Sequence, residues 1–118
     1  MHLEEVRWFC LSLGGVTEGF PFDSETLVFK VMGKLFCLMG LDNGAVSLKN
    51  QPEKVVQLLS DHTFVSPGYY MNKKHWYRTD ILLTPELLLK EWISESYQLV
   101  VAGLTAAQRE ELKKFDSQ

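Results

Sequence analysis

TLVFKVMGKLFCLMGLDNGAVSLK, residues 26–49, decides the fold of this chain. Leu27, Phe29 and Val31 alternate with Val28 and Lys30, the period of two that marks a strand. Gly33-Lys34 fits a two-residue type II′ turn with Gly first, which sets Val31 opposite Phe36 and Phe29 opposite Leu38 on the core face. The next link, Asp42-Asn43-Gly44, reads in two ways. As an Asn-Gly hairpin it pairs Leu38 with Lys49 and drives a lysine inward. As a three-residue loop with Gly44 at a bulge it pairs Leu38 with Leu48. The second is expected, because a one-residue slip turns a whole strand over. Three antiparallel strands joined by tight turns are therefore the centre of the molecule.

Helical patterns flank this centre. Leu3, Val6, Phe9, Cys10 and Leu13 recur at three- and four-residue steps from His2 to Leu13, with Glu4 and Glu5 at the positive end of the dipole and Gly14-Gly15 as the stop. A loop is expected over residues 16–25, with Phe20-Pro21-Phe22 packing under the sheet. Asn50 and Gln51 precede Pro52 and Glu53 and cap a helix that buries Val55, Val56, Leu58 and Leu59 as far as Asp61-His62. After a turn at Ser66-Pro67-Gly68 come a short irregular strand from Tyr69 to Met71, a tight loop from Asn72 to Lys74 and a strand from His75 to Leu82. If Trp76 points inward, Arg78 and Asp80 share its side; if Tyr77 does, Thr79 and Ile81 follow, the better apolar set.

Thr84 and Pro85 supply an N-cap and first-turn pair for a helix to about Ala102, with Leu88, Trp92, Tyr97 and Leu99 as its buried stripe and Gly103 as its stop. Thr105 with Gln108 makes a capping box for a last helix, Ala106 to Phe115. Tight hairpins with helices gathered on one face define an α+β two-layer sandwich, a single domain over residues 1–118.

Composition narrows the function. Lys and Arg number 12 against 15 Asp and Glu, a net charge of −3, so attraction to a polyanion has to come from a local patch. Cys10 and Cys37 sit in apolar segments as small buried hydrophobes of a reducing compartment, and no Cys/His spacing suggests zinc. The start MHLEEVRWF has no basic region before an apolar core, and no apolar run is long enough to span a bilayer, so a cytoplasmic protein without a membrane is expected. Nucleophile–base pairs, phosphate-cradling glycine loops and metal-ligand sets are not recognisable, which predicts no enzyme, no catalytic residue and no cofactor. Glu18, Asp23 and Glu25 are three loop acids of the kind that is usually solvated; no metal site is expected.

One stretch is built like a contact surface. SPGYYMNKKHW, residues 66–76, with Arg78 beyond it, interleaves cations and aromatics, as nucleic-acid binding requires: cations replace phosphate counterions and aromatic faces accept bases. The plainer reading is that the lysines are solvated and that Tyr69, Tyr70 and Trp76 are core or core-edge residues.

GVTEGFPFDSETLVFKVMGKLFCLM at residues 15–39, FVSPGYYMNKKHW at 64–76 and SYQLVVAGL at 96–104 resemble, in order and spacing, the MmcQ/YjbR family of small bacterial proteins. The resemblance implies a CyaY-like fold, also related to secretion chaperones, and DNA binding of the double-wing type. Its wings would correspond to the hairpin tip at Gly33-Lys34 and the loop from Asn72 to Trp76. The strand after Trp76 departs from a more aliphatic family pattern with Tyr77, Arg78 and Thr79; Arg78 either extends the basic patch or pairs with Asp80 or Glu86.

The expectation is a monomer that binds DNA weakly through Lys34, Lys73, Lys74 and Arg78, with Lys49 adjoining and with Trp76 or Tyr69 stacking on bases or supporting the loop. The alternative is a protein-interaction or chaperone-like module with an exposed apolar patch. Iron handling would want a dense acidic ridge on the first helix, where only Glu4 and Glu5 stand.

Overall fold

The computed structural model describes residues 1–68 and 71–116, the last of these by its backbone only. In chain order the elements are α1 (Leu3–Ser12), β1 (Val16–Gly19), β2 (Thr26–Val31), β3 (Lys34–Gly40), β4 (Ala45–Lys49), α2 (Pro52–Asp61), β5 (Val65–Pro67), β6 (Trp76–Asp80), α3 (Glu86–Ala102) and α4 (Ala106–Asp116). The strands form one antiparallel sheet in the order β1-β2-β3-β4-β6-β5. α3 lies along β2, β3 and β4, α1 against β1, and α2 against β5 and β6. This is the expected α+β sandwich.

The first hairpin differs from the expected one. Met32 and Gly33, with φ of 48° and 81°, are its two turn residues, both left-handed, so the turn is of the I′ kind and Val31 faces Lys34. The register then breaks between Phe29 and Lys30, leaving Phe36 as an extra residue on β3. Phe36 and Cys37 therefore both enter the main core, while Leu38 turns to the opposite face with Val28 and Trp76. Leu38 stands opposite Val28, not Phe29. The second link is also corrected: Leu38 pairs with Ser47 and Cys37 with Leu48 around a four-residue turn, residues 41–44, whose Gly44 has φ 65°.

The segment expected as a loop contains β1, paired with β2, and Phe20 and Phe22 are 50% and 62% exposed instead of packing under the sheet. Met71 lies in a bend, and Tyr69 and Tyr70 fall outside the described residues; the strand beside β6 is β5. Of the two faces open for β6, Tyr77, Thr79 and Ile81 point into the core. On α3 the fully buried stripe is Leu89, Trp92, Ile93, Ser96, Tyr97 and Val100, with Leu88 and Leu99 half-buried. Thr84 is not its cap: the hydroxyl bonds the Asp80 carbonyl and shares a hydrogen bond with Thr79 Oγ1, and Pro85 takes the cap position. Val56 on α2 is exposed, whereas Val55 and Leu58 are buried. The capping box of α4 forms as read, Thr105 N–H to Gln108 Oε1 and Gln108 N–H to Thr105 Oγ1. Among the described residues no helix is long and apolar enough to cross a membrane.

Candidate nucleic-acid interface

With all helices on one side, the other face of the sheet carries Thr26, Val28 and Lys30 of β2, Leu38 of β3, Ser47 and Lys49 of β4, and Trp76 and Arg78 of β6. β3 begins where β4 ends and β6 begins, since Cys37 pairs with Leu48 and Lys49 with Trp76. Lys34, Lys49 and the turn holding Lys73 and Lys74 thus reach the same end of the sheet from three strands. Lys30, one residue before the hairpin's last pair, is there too.

The turn before β6 is locally built. Asn72 Oδ1 accepts the N–H of Lys74 at 2.9 Å, and the Asn72 carbonyl accepts those of His75 and Trp76. The N–H of Asn50 donates to the His75 carbonyl at 2.8 Å and ties this turn to the end of β4. Lys73 and Lys74 project outward, both exposed, as is Lys34. Gly68 completes the arrangement: a Cβ there would lie 3.1 Å from both the Cβ and the carbonyl oxygen of Trp76, so glycine lets the Ser-Pro-Gly turn approach β6 closely.

Trp76 is only 5% exposed, packed with Val28 and Leu38. It supports the loop and offers no free face for a base, which removes stacking on Trp76 from the expected site. Arg78 is half-buried in mid-sheet, opposite Ser47 and Ser66. Asp80 directs Oδ1 at the N–H groups of Leu82 and Leu83 in the following turn.

Charge is graded along the strands. Segments 30–36, 48–51 and 71–78 contain no Asp or Glu, and among the described residues Lys30, Lys34, Lys49, Lys73 and Lys74 enter no ion pair. Asp23, Glu25, Asp42 and Asp80 gather at the opposite end, where Thr26 pairs with Gly40, Ala45 pairs with Asp80, and Leu41 N–H bonds the Glu25 carbonyl. Four residues of β6 separate the two ends, about 13 Å at strand rise, more than the Debye length of about 8 Å at physiological salt. The net charge of −3 therefore does not cancel the field at the cationic end.

The three loop acids do not gather into a metal site. Glu18 forms a two-pronged pair with Arg7, at 2.7 and 2.8 Å, which raises the guanidinium's pKa. Asp23 accepts the N–H groups of Glu25 and Thr26 and the Thr26 hydroxyl, and the Glu25 N–H above all holds its carboxyl below the ordinary value. Among the described residues no group of three His, Cys, Asp or Glu could hold a metal ion. Lys30 and the two exposed phenylalanines were not among the expected site residues. The alternation of Lys30 with Phe29 and Val31 does assign it to the outer face, whereas nothing in Phe20-Pro21-Phe22 marks it as exposed.

Comparison with known proteins agrees with this architecture. The YjbR family model matches residues 11–99. Uncharacterized protein YbdF of Escherichia coli O157:H7 is 37% identical over 108 residues, covering 86% of this chain and 85% of its own. Uncharacterized protein YjbR of Escherichia coli K12 is 32% identical over 78 residues, 64% of this chain and 66% of its own. The crystal structure of Deinococcus radiodurans protein DR2400, with domain DUF419, superposes with a TM-score of 0.86 at 39% identity over 95% of this chain and 88% of that one. A Pseudomonas syringae protein at 21% identity shares the fold, with a TM-score of 0.72 over 84% of this chain and 98% of that one.

Proposed function

From the premise that the chain belongs to the YjbR family, we propose that it is a non-enzymatic protein that binds DNA weakly through the cationic end of its sheet. Lys34 on the hairpin and Lys73 and Lys74 on the turn before β6 contact phosphates as two wings, with Lys49 between them and Arg78 behind. The observation that carries this reading is the convergence of amines from three strands at an end whose own segments hold no carboxylate. Neighbouring strands lie about 4.8 Å apart, so β3, β4 and β6 set these cations across about 10 Å, roughly three base-pair steps of one DNA strand. Binding of this kind is electrostatic, and with only a handful of phosphate contacts and no base readout it is weak. Amide chemical-shift mapping with a short duplex tests it: perturbations confined to residues 30–36, 48–51 and 71–78 support the reading, and perturbations elsewhere or none contradict it.

A second reading draws on a different surface. Leu82, Leu83 and Leu87 are 67%, 65% and 81% exposed, close together in sequence at the start of α3. Such a patch favours a protein-interaction module, whose complex would persist with little change as salt is raised.

A further inference from the structure

We propose that the open face of the sheet takes an unpaired nucleic-acid strand, with bases seated beside Phe20 and Phe22 and phosphates led in from the lysine end. The proposal rests on the nucleic-acid reading above and names the form of polymer this face accepts.

The face is grooved, not flat. At the lysine end a groove of about 480 Å³ wraps around the end of the sheet, lined by Lys34, Leu35, Lys49, Met71 and Trp76 and, from the helix side, by Leu99 and Val100 of α3. Met71 is shared with a cleft of about 380 Å³ whose other walls are Phe22, Asp23, Thr26 and Leu38. Thr26 and Leu38 are shared in turn with a hollow that reaches Ser47 and Arg78. A third wall segment brings Phe20 and Pro21 over Val28 and Lys30. Met71 thus joins the lysine groove to the Phe22 cleft across an apolar floor, while the Phe20 pocket is a separate hollow with Lys30 as its own cation. The lysine-end groove, the Phe22 cleft and the Phe20 pocket, of about 480, 380 and 350 Å³, lie in the size range of small-ligand sites and each admits one base, whereas the hollow at Ser47 and Arg78, of about 70 Å³, does not.

Phe20 and Phe22 explain the choice of occupant. Packing does not require aromatic rings that remain 50% and 62% exposed, yet Phe20 lines the pocket with Lys30 and Phe22 the cleft joined to the lysine groove. Sequence-tolerant recognition of a single strand combines a cationic track with aromatic faces on which bases stack, and a duplex keeps its bases stacked on one another inside the helix. Lys30, Lys34, Lys49 and Arg78 supply the track. Of the acids on the walls, Glu18 is neutralised by Arg7, while Asp23 keeps its charge but spends its oxygens on three donors of its own loop, one carboxylate against the three lysines. Charge complementarity therefore favours a polyanion with free planar faces over an apolar peptide.

The test is fluorescence anisotropy with a labelled 12-nucleotide oligothymidine and a 12-base-pair duplex, for the full chain and for the double variant Phe20→Ala, Phe22→Ala. Both rings are exposed, so the variant should keep its fold, checked by circular dichroism. The expected result is tighter binding of the single strand than of the duplex, a loss of roughly 10-fold or more for the single strand in the variant, and duplex affinity unchanged within about 2-fold. Equal affinity for the two probes with an indifferent variant overturns this inference and leaves the duplex reading standing. No binding of either probe overturns both. A variant that loses only an apolar dye such as ANS, with oligothymidine binding intact, assigns the face to an apolar partner and overturns it as well.

Discussion

Ser96 on α3 donates its hydroxyl to the carbonyl oxygen of Phe36 at 2.6 Å and accepts the N–H of Lys49 at 2.9 Å. Phe36 is the extra residue of the β3 bulge, so its carbonyl stands free of the β2 ladder. One buried hydroxyl thus satisfies two strands and fixes α3 over the end of the sheet from which Lys34 and Lys49 project. Ser96→Ala leaves both groups unpaired, at about 1–3 kcal/mol each, so a loss of roughly 2–6 kcal/mol is expected in urea unfolding. A change below about 0.5 kcal/mol would show that the bulge does not depend on this bond.

The hairpin that carries Lys34 turns on Gly33. At φ 81° a side chain there would meet nothing within 4 Å, so any cost of Gly33→Ala is backbone strain alone. Left-handed backbone costs roughly 1–2 kcal/mol for an L-residue, and that destabilisation is expected in thermal or urea unfolding. Met32, already left-handed at φ 48°, bears the same strain in the native chain. A stability equal to the parent's would mean that the turn is of another kind.

Stability should fall at alkaline pH for two identified reasons. The contact with Cys10 first, and then burial, push the Cys37 thiol well above its ordinary value of 9.0. Burial first, then the nearby Glu95, raise the Tyr77 phenol above 10.0, and its hydroxyl has no hydrogen-bond partner among the described residues. Both groups hold their protons more tightly folded than unfolded. Their contribution is complete below about pH 9 and is lost as pH rises beyond the unfolded values. Tyr77→Phe removes the part that sets in above about pH 10 and, by deleting an unpaired buried hydroxyl, costs little at neutral pH. Urea midpoints measured at pH 7, 9 and 10.5 check this. A midpoint that is flat to pH 10.5 in the parent contradicts it.

Elements with strong local signals were legible in the sequence and register was not. The alternation of Leu27, Phe29 and Val31, the periodicity of α1 and the Thr105–Gln108 box each express a local rule that the fold obeys. The registers of β2, β3 and β4 rest on the bulge at Phe36 and on methionine in a left-handed turn, both held by tertiary contacts such as that of Ser96. β1, four residues of VTEG, has no apolar alternation and is recognised only once β2 stands beside it. Within the candidate site, the motif located Lys73, Lys74 and Arg78 because the charges are written in sequence. It could not show Trp76 burying itself on the outer face, since that depends on Val28 and Leu38 across the sheet. Phe20-Pro21-Phe22 misled for a related reason: apolar residues are favoured inside, yet much of a folded protein's surface is apolar too, and local sequence does not say which of them stay out.

The salt dependence of duplex binding, compared between the parent and Lys73→Glu, Lys74→Glu, tests the cationic end most directly. With about four phosphates neutralised, log K against log salt should fall with a slope near −3 to −4 in the parent, and the slope should flatten by roughly 2 in the folded double variant. A folded variant that binds with the parent's slope would contradict the account.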